Sequence, residues 1–131
     1  MRTMNRETYF IVMNALRFAC DTRAEREIPG AKFAMESELF ECASVSGGKV
    51  YLLRGYEKRG ENKNNLILIA AYGATDNVAR QKGINTHPYP STDIEREMAS
   101  LESQKLHEGY EVVRVIDTHS NQTYAMQEIS E

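Results

Sequence analysis

The sequence predicts an α+β domain, a mainly antiparallel sheet with helices packed on one face, in the order α-β-β-β-α-α-β-β. Three observations carry this expectation. The first part of the chain repeats apolar residues at helical spacing; the stretch from Glu38 to Tyr72 turns strand-like between turn residues; and the last third carries fresh helix-start and hairpin signals. At 131 residues the chain has the size of one domain, so residues 1–131 are read as a single unit.

A helix is expected from about Asn5 to Glu25. Tyr9, Met13, Leu16 and Cys20 stack on one face, and Phe10, Val12, Ala15 and Ala19 widen it. Asn14, Arg17 and Asp21 form a narrow polar stripe opposite, read as solvated, with an Arg17–Asp21 ion pair. Ile28-Pro29-Gly30 ends the helix. Strands follow over Leu39 to Val45, Lys49 to Glu57 and Leu66 to Tyr72, with a tight hairpin at Ser46-Gly47-Gly48-Lys49 and a polar tip from Lys58 to Asn65. Leu66 to Ala71 is apolar on both alternating sets, as in a central strand or one that faces a partner subunit.

A short helix over Thr75 to Gln81 is capped by Thr75 and stopped by Gly83, and Asn85 to Pro90 is an extended connection. Thr92-Asp93-Ile94-Glu95 matches a capping box for a helix from Asp93 to His107, with Ile94, Met98 and Leu101 inward and Gly109 as the stop. Tyr110 to Ile116 and Gln122 to Ile129 make the last hairpin around Asp117 to Asn121. Phe10, Met13, Leu16, Leu68 and Leu101 are expected together in one core.

Composition excludes several classes of function. Of the residues, 41% are apolar and 27% charged, with a formal net charge of −3, which fits an ordinary globular protein and disfavours duplex nucleic acid as a partner. No apolar run approaches the roughly 20 residues of a membrane span, and no signal peptide follows Arg2 and Arg6, so the expected location is the cytoplasm. Cys20 and Cys42 sit in apolar stretches and read as buried free thiols. Association is expected as well. The Leu66 to Ala71 strand and the first helix carry more apolar surface than one small sheet covers, which predicts a homo-oligomer, most simply a dimer.

No catalytic or metal pattern emerges. His87, His107 and His119 stand 20 and 12 residues apart, which meets no zinc spacing, and the glycines form no P-loop or dinucleotide fingerprint, so no metal or other cofactor is implied. Carboxylates at Glu95/Glu97 and Glu108/Glu111 read as solubilising charges. What remains is a set of arginines among tyrosines, a pairing suited to a small anionic, nucleotide-like ligand. The richest stretch runs from Tyr72 to Arg96. There Asn77 and Arg80, the His87-Pro88-Tyr89-Pro90 loop, and Asp93 with Arg96 are expected to converge beside two helix N-termini able to receive phosphate.

With its N-terminal helix from Tyr9 to Cys20, its strand meander from Leu39 to Tyr72 and a helical insertion carrying Asn77, Arg80 and Arg96, the chain resembles the phage Thoeris anti-defence protein 1 family. The resemblance implies an oligomeric sponge that sequesters cyclic nucleotide signals, including cyclic ADP-ribose isomers, without cleaving them, in the host cytoplasm. Arg23, Arg80 and Arg96 would then neutralise phosphates, and Tyr72 or Tyr89 would stack on a base. A second class stays open: a protein–protein inhibitor such as a toxin-immunity protein. An enzyme acting on a small metabolite comes third.

Overall fold

The structure is a computed structural model that describes residues 5–44, 47–61, 64–118 and 122–125. Asn5 starts α1 (Arg6–Glu27): its side-chain oxygen accepts from the backbone N–H groups of Glu7 at 2.9 Å and Thr8 at 3.3 Å, which would otherwise lack partners. Tyr9, Val12, Met13, Leu16, Cys20 and Ala24 are buried along one face. Gly30, at φ 82°, turns the chain into the sheet.

The strands are β1 (Lys32–Ser44), β2 (Gly47–Arg59), β3 (Asn64–Ala74), β4 (Asn85–Ser91), β5 (Glu111–Asp117) and β6 (Gln122–Ala125). They form one sheet in the order β4-β3-β2-β1-β5-β6, every neighbouring pair antiparallel. Between β3 and β4 lies α2 (Thr75–Ala79), and between β4 and β5 lies α3 (Ile94–His107). The α+β class and the order of the expected elements hold, with one strand added. Asn85 to Pro90, read as a connection, pairs along β3 from Tyr72↔Asn85 to Leu66↔Ser91. Pro88 and Pro90 fit this edge position: two residues apart, both miss donors on the same, outer side of the strand.

One expectation needs correction. The helices cover both faces of the sheet and not one. Phe40, Val50, Leu52, Ile67, Ile69 and Ala71 pack with α1 and with Val78 of α2, whereas Leu39, Leu53, Leu68 and Ala70 pack with Ile94 and Met98 of α3. This explains the doubly apolar run in β3, which is sandwiched inside one chain. Met13, Leu16 and Leu68 are buried as expected, but in two layers, while Leu101 is half-buried and Phe10 is 47% exposed.

β1 also begins earlier than its composition suggests. A register shift between Phe33 and Met35 lets the strand start at Lys32, so that Glu36 and Glu38 belong to it. Asp93, and not Thr92, caps α3, and Ala74 precedes α2, whose first residue is Thr75. Gly109 ends the α3 region at φ 102°. The tip residue Ser46, the turn residues 119–121 and the stretch beyond Ala125 lie outside the described residues.

Candidate functional site

The densest chemistry lies between α1 and the sheet. Glu36 and Glu38, two residues apart on β1, share the α1 side and are both 0% exposed. Opposite Glu36 on β2 stands Arg54, and opposite Glu38 on β5 stands Arg114. Arg54 donates to Glu36, and Arg114 donates to Glu38 at 3.0 and 3.2 Å. From above, Arg17 of α1 spans the pair, with 3.0 Å bonds to both oxygens of Glu36 and a 2.7 Å bond to Glu38. The Tyr9 hydroxyl also donates to Glu38. Arg54 lies 4.0 Å over the Phe33 ring and donates to the Tyr56 hydroxyl at 3.0 Å, which in turn donates to Asp21 at 2.5 Å.

Of the stripe expected to be solvated, Arg17 leans against the sheet, while Asn14 and Asp21 stay exposed at its margin. Arg17 pairs with the two glutamates and touches Asn14 at 3.5 Å, and the expected Arg17–Asp21 pair is replaced by Asp21 with Tyr56 and Arg54. Three guanidinium groups, of Arg17, Arg54 and Arg114, face three carboxylates, of Asp21, Glu36 and Glu38. That balance is what permits two carboxyl groups to be wholly desolvated.

The two carboxyl groups titrate apart. Burial would raise Glu36, but hydrogen bonds from Glu38 and Arg17 and the charges of Arg17 and Arg54 outweigh it and hold Glu36 down to about 2. Burial, then the adjacent Glu36, pushes Glu38 up to about 7. Burial first, with Glu38 adding, keeps the Tyr9 hydroxyl protonated well above its ordinary range. A split carboxyl pair is the raw material of acid–base catalysis. Here both members are sealed from solvent and engaged by protein donors, so the cluster as built joins α1 to three strands.

The residues nominated from sequence are divided between two ends and two faces of the sheet. Arg23 bonds Glu27 at 2.9 Å and Thr86 at 3.2 Å, tying α1 to β4. Asn77 and Arg80 are exposed on and just after α2, near the Tyr72↔Asn85 end of β4. Asp93 accepts from the backbone N–H of Arg96 at 3.1 Å, and both residues are exposed beyond the Ser91 end. Seven residues of extended chain separate these ends by about 20 Å, so the expected convergence around α2 and α3 does not form. The start of α3 also opens on a cleft of about 290 Å³ whose lining includes Glu57, Asp93, Glu95 and Asp117, a field that repels phosphate.

Two nominated residues do meet. Tyr72 and Tyr89 belong to an aromatic cluster on the α3 side. Tyr72 stacks on Tyr51 with centroids 5.4 Å apart, Tyr110 meets Tyr51 edge-on at 5.9 Å, and His87 meets Tyr89 edge-on at 4.6 Å. The Lys105 ammonium sits 4.5 Å over Tyr51 and 5.8 Å from the Tyr110 centroid. Burial and a hydrogen bond with Tyr89 raise the Tyr51 hydroxyl far above its ordinary range, and burial with Glu41 and Glu108 pushes Tyr110 up to about 12. Tyr51 and Tyr110 form the floor, while Tyr72 and Tyr89 are half-buried and His87 is exposed. Sequence reasoning missed Tyr51 and Lys105; the alternation of Tyr51 with Leu53 along β2 was the available signal.

The sequence matches no family model and no curated protein, and the fold matches no solved structure.

Among the described residues, no group of three or more His, Cys, Asp or Glu side chains is placed to hold a metal ion. Nor is any helix there long and apolar enough to cross a membrane. The Cys20 thiol points at the Ile69 carbonyl at 3.8 Å, and burial raises it far out of the reactive range. The side chain of Cys42 lies outside the described residues.

Proposed function

We propose that this protein acts by binding, without chemistry, and that its ligand is a small nucleotide-derived anion whose base lies on the Tyr72–His87–Tyr89 surface. The observation that carries this reading is the aromatic cluster: half-buried rings on one face, fixed from beneath by Tyr51 and Tyr110, with Lys105 at its edge. Rings already held in place lose little freedom on stacking, and a planar base gains contact with each. The sequestering role implied by the resemblance to the Thoeris anti-defence protein 1 family is consistent with such a surface. The basic half of the expected site, Arg23, Arg80 and Arg96, takes no part in it.

Calorimetry against cyclic ADP-ribose isomers and cyclic di- and trinucleotides tests the proposal. Removing one stacking ring by Tyr72→Ala or Tyr89→Ala should weaken binding by about 1–3 kcal/mol, whereas Arg96→Ala, an exposed side chain beyond the Ser91 end of β4 and outside the ring cluster, should leave it unchanged. The ligand recovered by chromatography should be chemically intact. No heat with any of these compounds, or equal loss from Arg96→Ala, would overturn the reading. A protein–protein inhibitor is the second reading, favoured by the exposed Phe10, Ile11 and Phe18 of α1.

A further inference from the structure

α1 is apolar on two opposite sides. One side holds Tyr9, Val12, Met13, Leu16, Cys20 and Ala24 against the sheet. On the other, Ile11, Ala15 and Phe18 recur four and three residues apart, with Ile11 41% and Phe18 74% exposed. Large apolar side chains left in solvent on one stripe of a helix mark an interaction surface, and among the described elements Ile11 and Phe18 keep that exposure along this outer ridge. Beside it runs a groove of about 610 Å³ floored by Ala15, Ala19, Ile84 and Gln81, with no charged side chain in its lining.

We propose that this ridge and groove form the contact between two copies of the chain, their α1 helices packed antiparallel about a twofold axis. The patch is complementary to itself. An isologous interface requires one patch to fit itself, and this patch carries both a protruding ring, Phe18, and a gap left by small residues, Ala15 and Ala19. With the axis on the outer side of α1 at the level of residues 16 and 17, Phe18 of one copy lies over Ala15 of the other, and Ile11 lies over Thr22. The same register sets exposed Glu7 against exposed Arg26 at each end, so opposite charges meet twice. A parallel pairing would instead oppose Phe18 to Phe18 and Glu7 to Glu7. Any other partner would have to supply an uncharged ridge, a small-residue gap and matching terminal charges, all of which the second copy already has. The inference is independent of the ligand proposal, because the tyrosine cluster lies on the opposite side of the sheet.

Sedimentation velocity of the full chain over a concentration series tests it, with circular dichroism as the folding control. Wild type should be dimeric at tens of micromolar. Phe18→Glu should weaken association by at least about tenfold, with the thermal midpoint of the monomer kept, since the side chain is largely in solvent. Ile11→Gln provides a milder second variant should the first misfold. Glu7→Arg and Arg26→Glu should each weaken the dimer, and the double variant should restore it. A monomer at every concentration overturns the proposal, as does a dimer indifferent to both ridge variants; a double variant that fails to recover refutes the antiparallel register.

Discussion

Replacing Glu38 by Gln probes the buried carboxyl pair directly, because Gln keeps the shape and removes the titration. In the folded protein the Glu38 carboxyl is raised from 4.5 to about 7, chiefly by burial and then by Glu36. Between those values the folded state holds a proton that the unfolded chain has released, so stability is fully present below pH 4.5 and is lost as pH rises through 7. At about 1.4 kcal/mol per pH unit, the loss across that window is about 3 kcal/mol. Glu36 works in the opposite sense: held down to about 2, its contribution is present above pH 4.5 and is lost as pH falls toward 2. The two together place the pair's greatest stabilisation near pH 4.5. Urea unfolding of wild type and Glu38→Gln at pH 4.5, 6 and 7.5 isolates the effect, since every other titrating group outside the pair is common to both proteins. The stability of the variant relative to wild type should improve by about 3 kcal/mol from pH 4.5 to 7.5, whatever constant penalty the amide carries. A difference that stays flat with pH refutes the assignment.

Two further substitutions test the packing. Leu16→Ala empties a wholly buried site under α1 and should cost about 2–5 kcal/mol in denaturant unfolding, a loss below about 0.5 kcal/mol contradicting its burial. Gly55 lies on β2 beneath α3, and a Cβ there would stand 2.5 Å from Ile94 Cγ2, so Gly55→Ala should cost about 1–3 kcal/mol, and with Ile94→Ala, which removes Cγ2, in the same chain the double change should cost less than the sum of the two single ones. An unchanged thermal midpoint for Gly55→Ala would refute the close packing of α3 on β2.

Much of the fold was legible because local signals and tertiary needs agree. The ladder from Tyr9 to Cys20, the turn at Gly30, the stop at Gly109, the strands β2 and β3 and the second half of β1 are each specified within their own segment. β4 was not legible, because prolines argue against a strand unless its outer edge is known to be unpaired. Nor was the two-sided covering of the sheet, although Leu66 to Ala71 carried the information: a strand apolar on both alternating sets needs cover on both sides, and α3 supplies it within the chain. That cover also removes the strand as a reason for oligomerisation and leaves α1 alone as the motive.

The candidate sites were harder to read for one physical reason, which concerns α1. Charge in a sequence is ordinarily evidence of exposure and apolarity evidence of burial, yet on this helix Arg17 is drawn inward while Phe18, the next residue, stands in solvent. The inversion follows from β1. Glu36 and Glu38 alternate onto the same side as Phe40, so the strand presents two carboxyl groups to whatever packs there, and desolvated carboxylates demand cations. Arg54 and Arg114 come from adjacent strands, and Arg17 must come from the helix. Fixing Arg17 over the pair fixes the rotation of α1 about its axis, with Leu16 beneath it and Phe18 and Ile11 turned outward. The buried network and the exposed ridge are thus two consequences of a single orientation. On this account, removing the charges by the double change Glu36→Gln and Glu38→Gln should loosen the hold on Arg17 and weaken the α1–α1 contact with no residue of the ridge altered. Sedimentation of that variant at pH 7.5 should show a weaker dimer than wild type, and an identical association constant would separate the two features and refute the link.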